Sequence, residues 1–295
     1  MVLSHDPNWL RAGNWFKKVD YADFGIVGVG ASKSALTPNR AHKTPAAVRE
    51  ALHKYSTYNA SNNLDLAEST SAGDFGDIKN PDNQSSASEQ LIEIYQKAKT
   101  VVLIGGDNSI TFSGVSALFD SYKLDKIGLI TLDAHHDLRD GISNGSPIKQ
   151  LLDQGFLGKN IVQVGINDFA NSKFYADRAK KAGIKIIHRS EFHRFRPEQI
   201  AKRALSALSK CSIIYIDIDM DVCDRATVPA APAAMPGGLS ADEIRSLVRA
   251  FAREPRAKLF DITELDATID SLDQRSVRLA ALLILEIAAA KAVKK

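Results

Sequence analysis

Short apolar runs alternate with longer helix-like segments along most of this chain. The runs are rich in β-branched residues, which is typical of buried strands. They are Gly25 to Val29, Thr100 to Ile104, Ile127 to Leu132, Ile161 to Gly165, Ile184 to Ile187, Ser212 to Asp217 and Ala257 to Ile262. The alternation predicts an α/β protein with three αβα layers, in which a mostly parallel sheet of roughly eight strands carries helices on both faces. A single domain over residues 1–295 would accommodate the whole pattern.

Local signals mark the starts of several helices. The predicted starts are Thr44-Pro45 before a helix from Ala46 to Lys54, the capping-box pattern Ser86 to Glu89 before Gln90 to Lys99, Pro197 with a helix through Leu208, and Ser240 before Ala241 to Ala252. The apolar stretch Leu279 to Ala290 contains Glu286. It predicts a buried helix, because a membrane span needs about 18 or more uninterrupted apolar residues.

The segment from Ser56 to Ser85 is polar and breaks the alternating pattern. It is expected to be a long surface excursion with one short strand near Asp74 to Ile78. This composition is compatible with a flexible insertion without function and with a lid over a binding site.

Two stretches place an acid on alternate residues directly after an apolar run. They are Asp133-Ala134-His135-His136-Asp137 and Asp217-Ile218-Asp219-Met220-Asp221. Side chains alternate between the faces of a strand, so the acids of each stretch, with His135, should converge on one side. Clustered carboxylates repel one another unless a cation neutralises them. Hard oxygens combined with an imidazole favour Mn²⁺ or a similar divalent ion.

Polar residues also follow the other predicted strands. Besides the two acidic stretches, the segments are Gly105 to Ser109, Gly165 to Asp168 and Asp261 to Glu264. Ligands of open α/β sheets bind outside the carboxyl ends of the strands. Five segments that are distant along the chain are therefore expected to meet at one edge of the sheet.

Composition narrows the class of protein. The hydrophobic content of 44% is enough for a large core, and the net charge of +3 comes from well-mixed charges, so neither nucleic acid nor a membrane is expected as a partner. The N-terminal residues 1–17 lack the apolar core of a secretory signal. Two cysteines, Cys211 and Cys223, argue against a disulfide framework and favour a cytoplasmic location.

Three ordered motifs give the chain a resemblance to the ureohydrolases, the family of arginase, agmatinase and formimidoylglutamase. The motifs are Gly-Gly-Asp-Asn-Ser at 105–109, Asp-Ala-His-His-Asp at 133–137 and Asp-Ile-Asp-Met-Asp-Val-Cys-Asp at 217–224, followed by Pro229, Pro236, Gly237 and Gly238. The family pattern is Gly-Gly-Asp-His-Ser, Asp-Ala-His-x-Asp and Ser-x-Asp-x-Asp-x-x-Asp-Pro with a later Pro-Gly-Gly. The resemblance covers nearly the whole chain and implies the arginase-like fold.

The resemblance also implies two Mn²⁺ ions. The first would be held by Asp133, Asp137 and Asp219 with the histidine of the Gly-Gly-Asp-His motif. The second would be held by Asp133, His135, Asp219 and Asp221. In this register Asp217 takes the place of the family serine and is expected behind the ligands.

Position 108 departs from the family, because Asn108 stands where the motif has histidine. An amide oxygen is a neutral and poorer ligand than imidazole for Mn²⁺. The sequence is compatible with three outcomes: Asn108 is a ligand, a water takes its place, or the first site is empty. We expect the first ion to be weakly held or absent in the purified protein.

The resemblance implies that the enzyme hydrolyses the C–N bond of a linear amidine, with the ions lowering the pKa of a water molecule. Glu264 matches the family glutamate that pairs with the guanidinium or formimidoyl group, and Asp137 would relay a proton to the leaving amine. The loops around Asn144, Ser146 and Asn171 are more similar to formimidoylglutamases, and these three residues are predicted to bind substrate.

Arg139 lies where a substrate carboxylate is expected, which favours an acidic substrate. The predicted reaction converts N-formimidoyl-L-glutamate and water to L-glutamate and formamide, as in histidine degradation. The alternatives are a urea-releasing agmatinase or guanidinobutyrase and, because of Asn108, a metal-poor homologue without catalysis. The family resemblance further implies a homo-oligomer, a trimer or a hexamer.

Overall fold

An eight-stranded parallel sheet organises the fold. The structure, a computed structural model, describes residues 6–293, so both ends of the expected 1–295 domain, residues 1–5 and 294–295, lie outside the described residues. The strands are β1 (Ala22–Val29), β2 (Tyr58–Asn59), β3 (Leu64–Asp65), β4 (Ala72–Asp77), β5 (Ala98–Gly105), β6 (Ile127–Leu132), β7 (Ile161–Ile166), β8 (Lys185–His188), β9 (Ile213–Asp219) and β10 (Ala257–Thr263). The helices are α1 (Ala12–Trp15), α2 (Thr44–Leu52), α3 (Leu66–Ser69), α4 (Gln84–Tyr95), α5 (Ile110–Ser116), α6 (Pro147–Asp153), α7 (Lys173–Ala182), α8 (Pro197–Ala207), α9 (Ala241–Ala252) and α10 (Arg275–Ala292).

The main sheet has the strand order β4-β1-β5-β10-β9-β6-β7-β8, and β2 with β3 forms a separate small hairpin. Helices α1, α2, α3, α8, α9 and α10 contribute to the core on one face, and α4 to α7 contribute to the core on the other. The predicted three-layer α/β fold with a mostly parallel sheet is therefore confirmed. Within the described residues, no helix has both the length and the apolar character needed to cross a bilayer.

The strand register brings the acidic motifs together. Asp219 of β9 is paired with Thr263 of β10, and Asp217 lies beside Thr131 of β6 and Asp261 of β10. Because these three strands are parallel, the residues that follow them meet at one edge of the sheet.

A glycine lets the end of β5 approach this edge. A Cβ atom at Gly106 would lie 1.9 Å from the carbonyl oxygen of Ala31, so no larger residue fits without moving the backbone. The Gly106 carbonyl also accepts a hydrogen bond from the Glu264 amide at 2.9 Å. This close approach places Asn108 next to the end of β10.

The predicted strand near Asp74 to Ile78 is confirmed as β4, which lies at the edge of the sheet and pairs with β1. Its polar sequence reflects that position, because among residues 6–293 β1 is its one partner strand and its other side pairs only with the backbone of Lys17. The rest of the 56–85 segment is also ordered, since it holds the β2–β3 hairpin and α3, whose Leu66 is buried in the core.

Two helix starts differ from the predictions. Thr44 is the first residue of α2 rather than its cap, and its hydroxyl bonds to the carbonyl of Leu265 instead. Helix α4 starts at Gln84 because the side chain of Asn83 caps it, so the predicted capping box at Ser86 is wrong. The capping box of Ser240 with Glu243 is confirmed at the start of α9.

Glu286 joins the last helix, α10, to α9. Glu286 is buried, and its carboxylate accepts hydrogen bonds from Arg245 at 2.7 Å and from Arg249 at 3.0 Å. The two arginines are partly exposed and keep some contact with water. The buried carboxylate of Glu286 depends on them to neutralise its charge.

We expect Glu286→Gln to lower the free energy of unfolding by about 1–3 kcal/mol, between the values for exposed and buried ion pairs. Chemical denaturation measures this change. The control is Asp177→Asn, which removes the exposed pair with Lys173 and should cost less than about 0.5 kcal/mol. Equal losses in the two variants would contradict this account of Glu286.

Candidate active site

A cavity of about 480 Å³ opens at the carboxyl ends of the central strands. The residues that line it come from the segments after β1, β6, β7, β9 and β10. They include His135, Asp137, Asp219, Asp221 and Glu264, so the structure brings most of the predicted metal and catalytic residues to one cavity. No residue of the 56–85 segment lines it.

Two overlapping groups of side chains could each hold a cation. One group is Asp133, His135 and Asp221, and the other is Asp133, Asp137 and Asp219. Within each group the potential ligand atoms lie within 4.8 Å of one another, and Asp133 belongs to both. One oxygen of Asp133, Oδ2, is buried and has no hydrogen-bond partner within the described residues. An unpaired buried carboxylate oxygen is unfavourable, so this donor set fits a divalent cation.

Burial and mutual repulsion strongly disfavour charge on these acids. Burial raises the pKa of Asp133 to about 6, with a further contribution from Asp221. The pKa values of Asp137 and Asp219 lie well above the ordinary value for the same reasons. In the metal-free protein the cluster therefore retains protons that a cation would displace.

His135 acts as a counter-ion in the metal-free cluster. Its Nδ1 lies 2.9 Å from Oδ2 of Asp221 and 3.6 Å from Oδ1 of Asp133. Burial alone would lower the pKa of His135, but these two carboxylates raise it to about 12. The imidazolium in turn lowers the pKa of Asp221, against the effect of burial.

Hydrogen bonds from Asn171 and Gln163 hold the loop that carries His135. The amide of Asn171 accepts from the backbone N–H of His136 at 2.9 Å and donates to the carbonyl of Ala134 at 2.9 Å. Gln163 of β7 holds the ring of His136 at 2.7 Å and its carbonyl at 3.0 Å. Although Asn171 lines the cavity, its polar atoms are occupied by the ligand loop.

Asn108 lies among the predicted ligands, but its nitrogen faces them. Its side-chain N–H donates to Oδ2 of Asp137 at 2.6 Å. The carbonyl oxygen of the amide is turned away and accepts hydrogen bonds from Thr111 at 2.8 Å and Thr263 at 3.0 Å.

Glu264 is held in an unusual backbone conformation, with φ at 58°. Its Oε1 accepts from the Asn108 backbone N–H at 2.7 Å and from the Asn144 side chain at 2.8 Å. Burial raises the pKa of Glu264 to about 8, although these two donors lower it. Both donors act on Oε1, which leaves Oε2 for another partner.

The remaining predicted substrate residues have different surroundings. Arg139 lines the cavity, is exposed, and makes no side-chain hydrogen bond or ion pair within the described residues. Asn144 lines the cavity as well, but its side chain joins Glu264 to the backbone N–H of Leu36. Ser146 is fully buried outside the cavity lining, and its hydroxyl bonds to the backbone of Ser143.

Apart from Asp217, the residues behind the ligands were not predicted from the sequence. Thr111, Thr263, Tyr215 and Asp261 form a buried network, in which Oδ2 of Asp261 accepts from Tyr215 at 2.8 Å and lies 3.0 Å from the Thr111 hydroxyl. Strand alternation was the available signal, because it places Asp261 and Thr263 on one face of β10.

Comparison with known proteins relates this geometry to one family. The model of the Arginase family matches residues 22–290. The chain is 35% identical to formimidoylglutamase from Halalkalibacterium halodurans, with 98% of this chain and 94% of that protein covered. It is 32% identical to formimidoylglutamase from Bacillus subtilis, with 88% and 84% covered.

Solved structures of similar proteins have the same fold. A structure of formimidoylglutamase from Bacillus subtilis superimposes with a TM-score of 0.92 and 28% identity, covering 99% of this chain and 95% of that chain. A structure of Trypanosoma cruzi formiminoglutamase with Mn²⁺ superimposes with a TM-score of 0.85 and 20% identity, covering 98% and 100%. Both the extent of these matches and the acidic cluster at the strand ends lead to the same conclusion: the chain belongs to the arginase family.

Proposed function

We propose that this protein hydrolyses N-formimidoyl-L-glutamate to L-glutamate and formamide, a reaction of histidine degradation. The observation that carries the proposal is a cavity lined by buried carboxylates and by the guanidinium of Arg139, which has no hydrogen-bond or ion-pair partner among residues 6–293. This charge arrangement suits a substrate that has an amidine at one end and carboxylates at the other. The relatives of this chain at 35% and 32% identity are formimidoylglutamases, which supports the same substrate.

The proposed metal centre uses Asp133, Asp137 and Asp219 for a first Mn²⁺, and Asp133, His135, Asp219 and Asp221 for a second. Manganese suits this mixture of carboxylate oxygens and one imidazole. When bound, the ions supply a water molecule of lowered pKa for attack on the amidine carbon. We further propose that the first ion is the weaker one, because Asn108 offers no imidazole.

Glu264 is proposed to bind the amidine. A planar cation is recognised well by a carboxylate that is already oriented by other hydrogen bonds. With Oε1 held by Asn108 and Asn144, the free Oε2 can accept an N–H from the formimidoyl group. The positive charge of the bound amidine would also favour the ionised form of Glu264.

Asp137 is proposed to carry the proton that the leaving amine needs. The side chain lies in the cavity lining, and its Oδ2 accepts from Asn108 at 2.6 Å. As a metal ligand Asp137 would be ionised, so its carboxylate can accept a proton from the attacking water and then donate it to the leaving amine.

Arg139 is proposed to bind a carboxylate of the substrate. A guanidinium with no protein partner is free to form a forked pair with a carboxylate. Agmatine has no carboxylate, so this contact would favour binding of the proposed substrate over agmatine.

A cytoplasmic location and a homotrimer or homohexamer stay predictions. Analytical ultracentrifugation would measure the oligomeric state.

The substrate assignment is tested by product analysis with added Mn²⁺. We expect formamide and glutamate from N-formimidoyl-L-glutamate, and no urea from arginine, agmatine or guanidinobutyrate. Urea release without formamide formation would overturn the proposed substrate.

We expect Arg139→Gln to lower kcat/KM by roughly ten- to a hundredfold, mainly through a higher KM, because a charge-assisted pair to the substrate is lost. Steady-state kinetics on the formimidoyl substrate measures this effect. Arg194→Gln is the control, because Arg194 is exposed and does not line the cavity. A normal KM in Arg139→Gln would remove Arg139 from the binding site.

Binding of Mn²⁺ should release protons and should tighten as pH rises. At pH 7.5 the metal-free protein keeps His135 protonated, since its pKa is about 12, while a metal ligand must be neutral imidazole. Asp137 and Asp219, whose pKa values are raised, add to the release. Calorimetric titration in PIPES and in Tris should give different heats, because the buffers take up protons with different enthalpies. Equal heats in both buffers would contradict the charge state assigned to the cluster.

A further inference from the structure

The carboxamide of Asn108 is fixed at both ends. Its nitrogen donates to Asp137 at 2.6 Å, and its oxygen accepts from the hydroxyls of Thr111 at 2.8 Å and Thr263 at 3.0 Å. All four side chains are buried, so water does not compete freely for these contacts.

The chemistry of the partners determines which way the amide faces. A carboxyl oxygen that carries no proton only accepts hydrogen bonds, even when the other oxygen of the group is protonated, whereas a hydroxyl can donate or accept. Asp137 therefore selects the amide nitrogen, and the threonine hydroxyls adapt by donating to the amide oxygen. The atom of Asn108 that faces the predicted first metal site is consequently a donor, not a ligand.

The two threonines contribute differently. Within residues 6–293, the Thr263 hydroxyl makes one hydrogen bond, the bond to Asn108. The Thr111 hydroxyl has a single hydrogen but lies near two acceptors, Asn108 at 2.8 Å and Asp261 at 3.0 Å. Thr263 is thus the dedicated donor, and Thr111 can give its hydrogen to either acceptor.

We propose that Thr263 is a positioning residue whose hydroxyl keeps the oxygen of Asn108 turned away from the carboxylates, so that Asn108 supplies a hydrogen bond to Asp137 and withholds a ligand from the first cation. The inference rests on the metal centre of the proposed function. It assigns the weakness of the first site to this hydroxyl as well as to the missing imidazole.

Turning the amide over would present its oxygen to the first cation. Thr111 could then accept from the amide nitrogen and donate to Asp261, so every group near it would be satisfied. Thr263 would lose the acceptor for its buried hydroxyl hydrogen, which is unfavourable. The Thr263 hydroxyl therefore opposes the orientation in which Asn108 is a ligand.

The test compares Mn²⁺ binding by the metal-free full-length protein with that of Thr263→Val and Thr263→Ser, followed by the electron paramagnetic resonance signal of free Mn²⁺. The native protein should show a tighter and a weaker site. Valine keeps the shape of threonine but removes the hydroxyl, so the weaker site should tighten by roughly tenfold, the scale on which groups behind a ligand act. Serine keeps the hydroxyl and should leave the weaker site within about twofold of native.

Thr263→Ala also removes the hydroxyl and gives a second measurement of the same sign, and it carries the test if Thr263→Val does not fold as judged by circular dichroism. A weaker site that is unchanged or loosened in these two variants would overturn the proposal, because Asn108 would then be indifferent to the Thr263 hydroxyl or already a ligand. Neutron diffraction of deuterated, metal-free crystals should place two deuterons on the Asn108 atom that faces Asp137. Deuterons on the atom that faces the threonines would also overturn it. Native protein that binds no Mn²⁺ would overturn the proposed metal centre itself, and that result would be seen without any variant.

Discussion

The repulsion among buried carboxylates is the constraint on which the site depends. Asp133, Asp137, Asp219 and Asp221 are each less than a tenth exposed, and they converge because parallel strands end at one edge. Without a cation, protonation, the imidazolium of His135 and hydrogen bonds such as the one from Asn108 to Asp137 relieve the repulsion. The same groups can therefore exchange protons for metal ions, and this exchange links the fold of the sheet edge to the chemistry of the cavity.

Much of the fold and of the metal cluster could be predicted from the sequence. The parallel sheet could be predicted because buried apolar runs alternate with helical segments along the chain. Such an alternation is typical of parallel strands joined by helices. Asp133, His135 and Asp137 could be predicted as ligands from their motif, but strand alternation is not what brings them together, because they follow the end of β6 and Asp137 has a positive φ of 53°. The edge strand β4 was harder to detect, because its polar sequence resembles that of a loop.

The sequence could not reveal which polar atoms are already in use. Asn144, Ser146 and Asn171 are all polar residues of loops near the site, and each uses its side chain for contacts within the protein. The direction of the Asn108 amide depends on Thr111 and Thr263, which come from separate elements. Such choices depend on tertiary contacts, which bring together residues that are distant in the sequence.

Anomalous diffraction at the manganese edge, from crystals grown with millimolar Mn²⁺, tests the central claim most directly. The account predicts a strong peak among Asp133, His135, Asp219 and Asp221, and a second, weaker peak among Asp133, Asp137 and Asp219. The absence of a peak at this cluster, or peaks only elsewhere on the molecule, would contradict it.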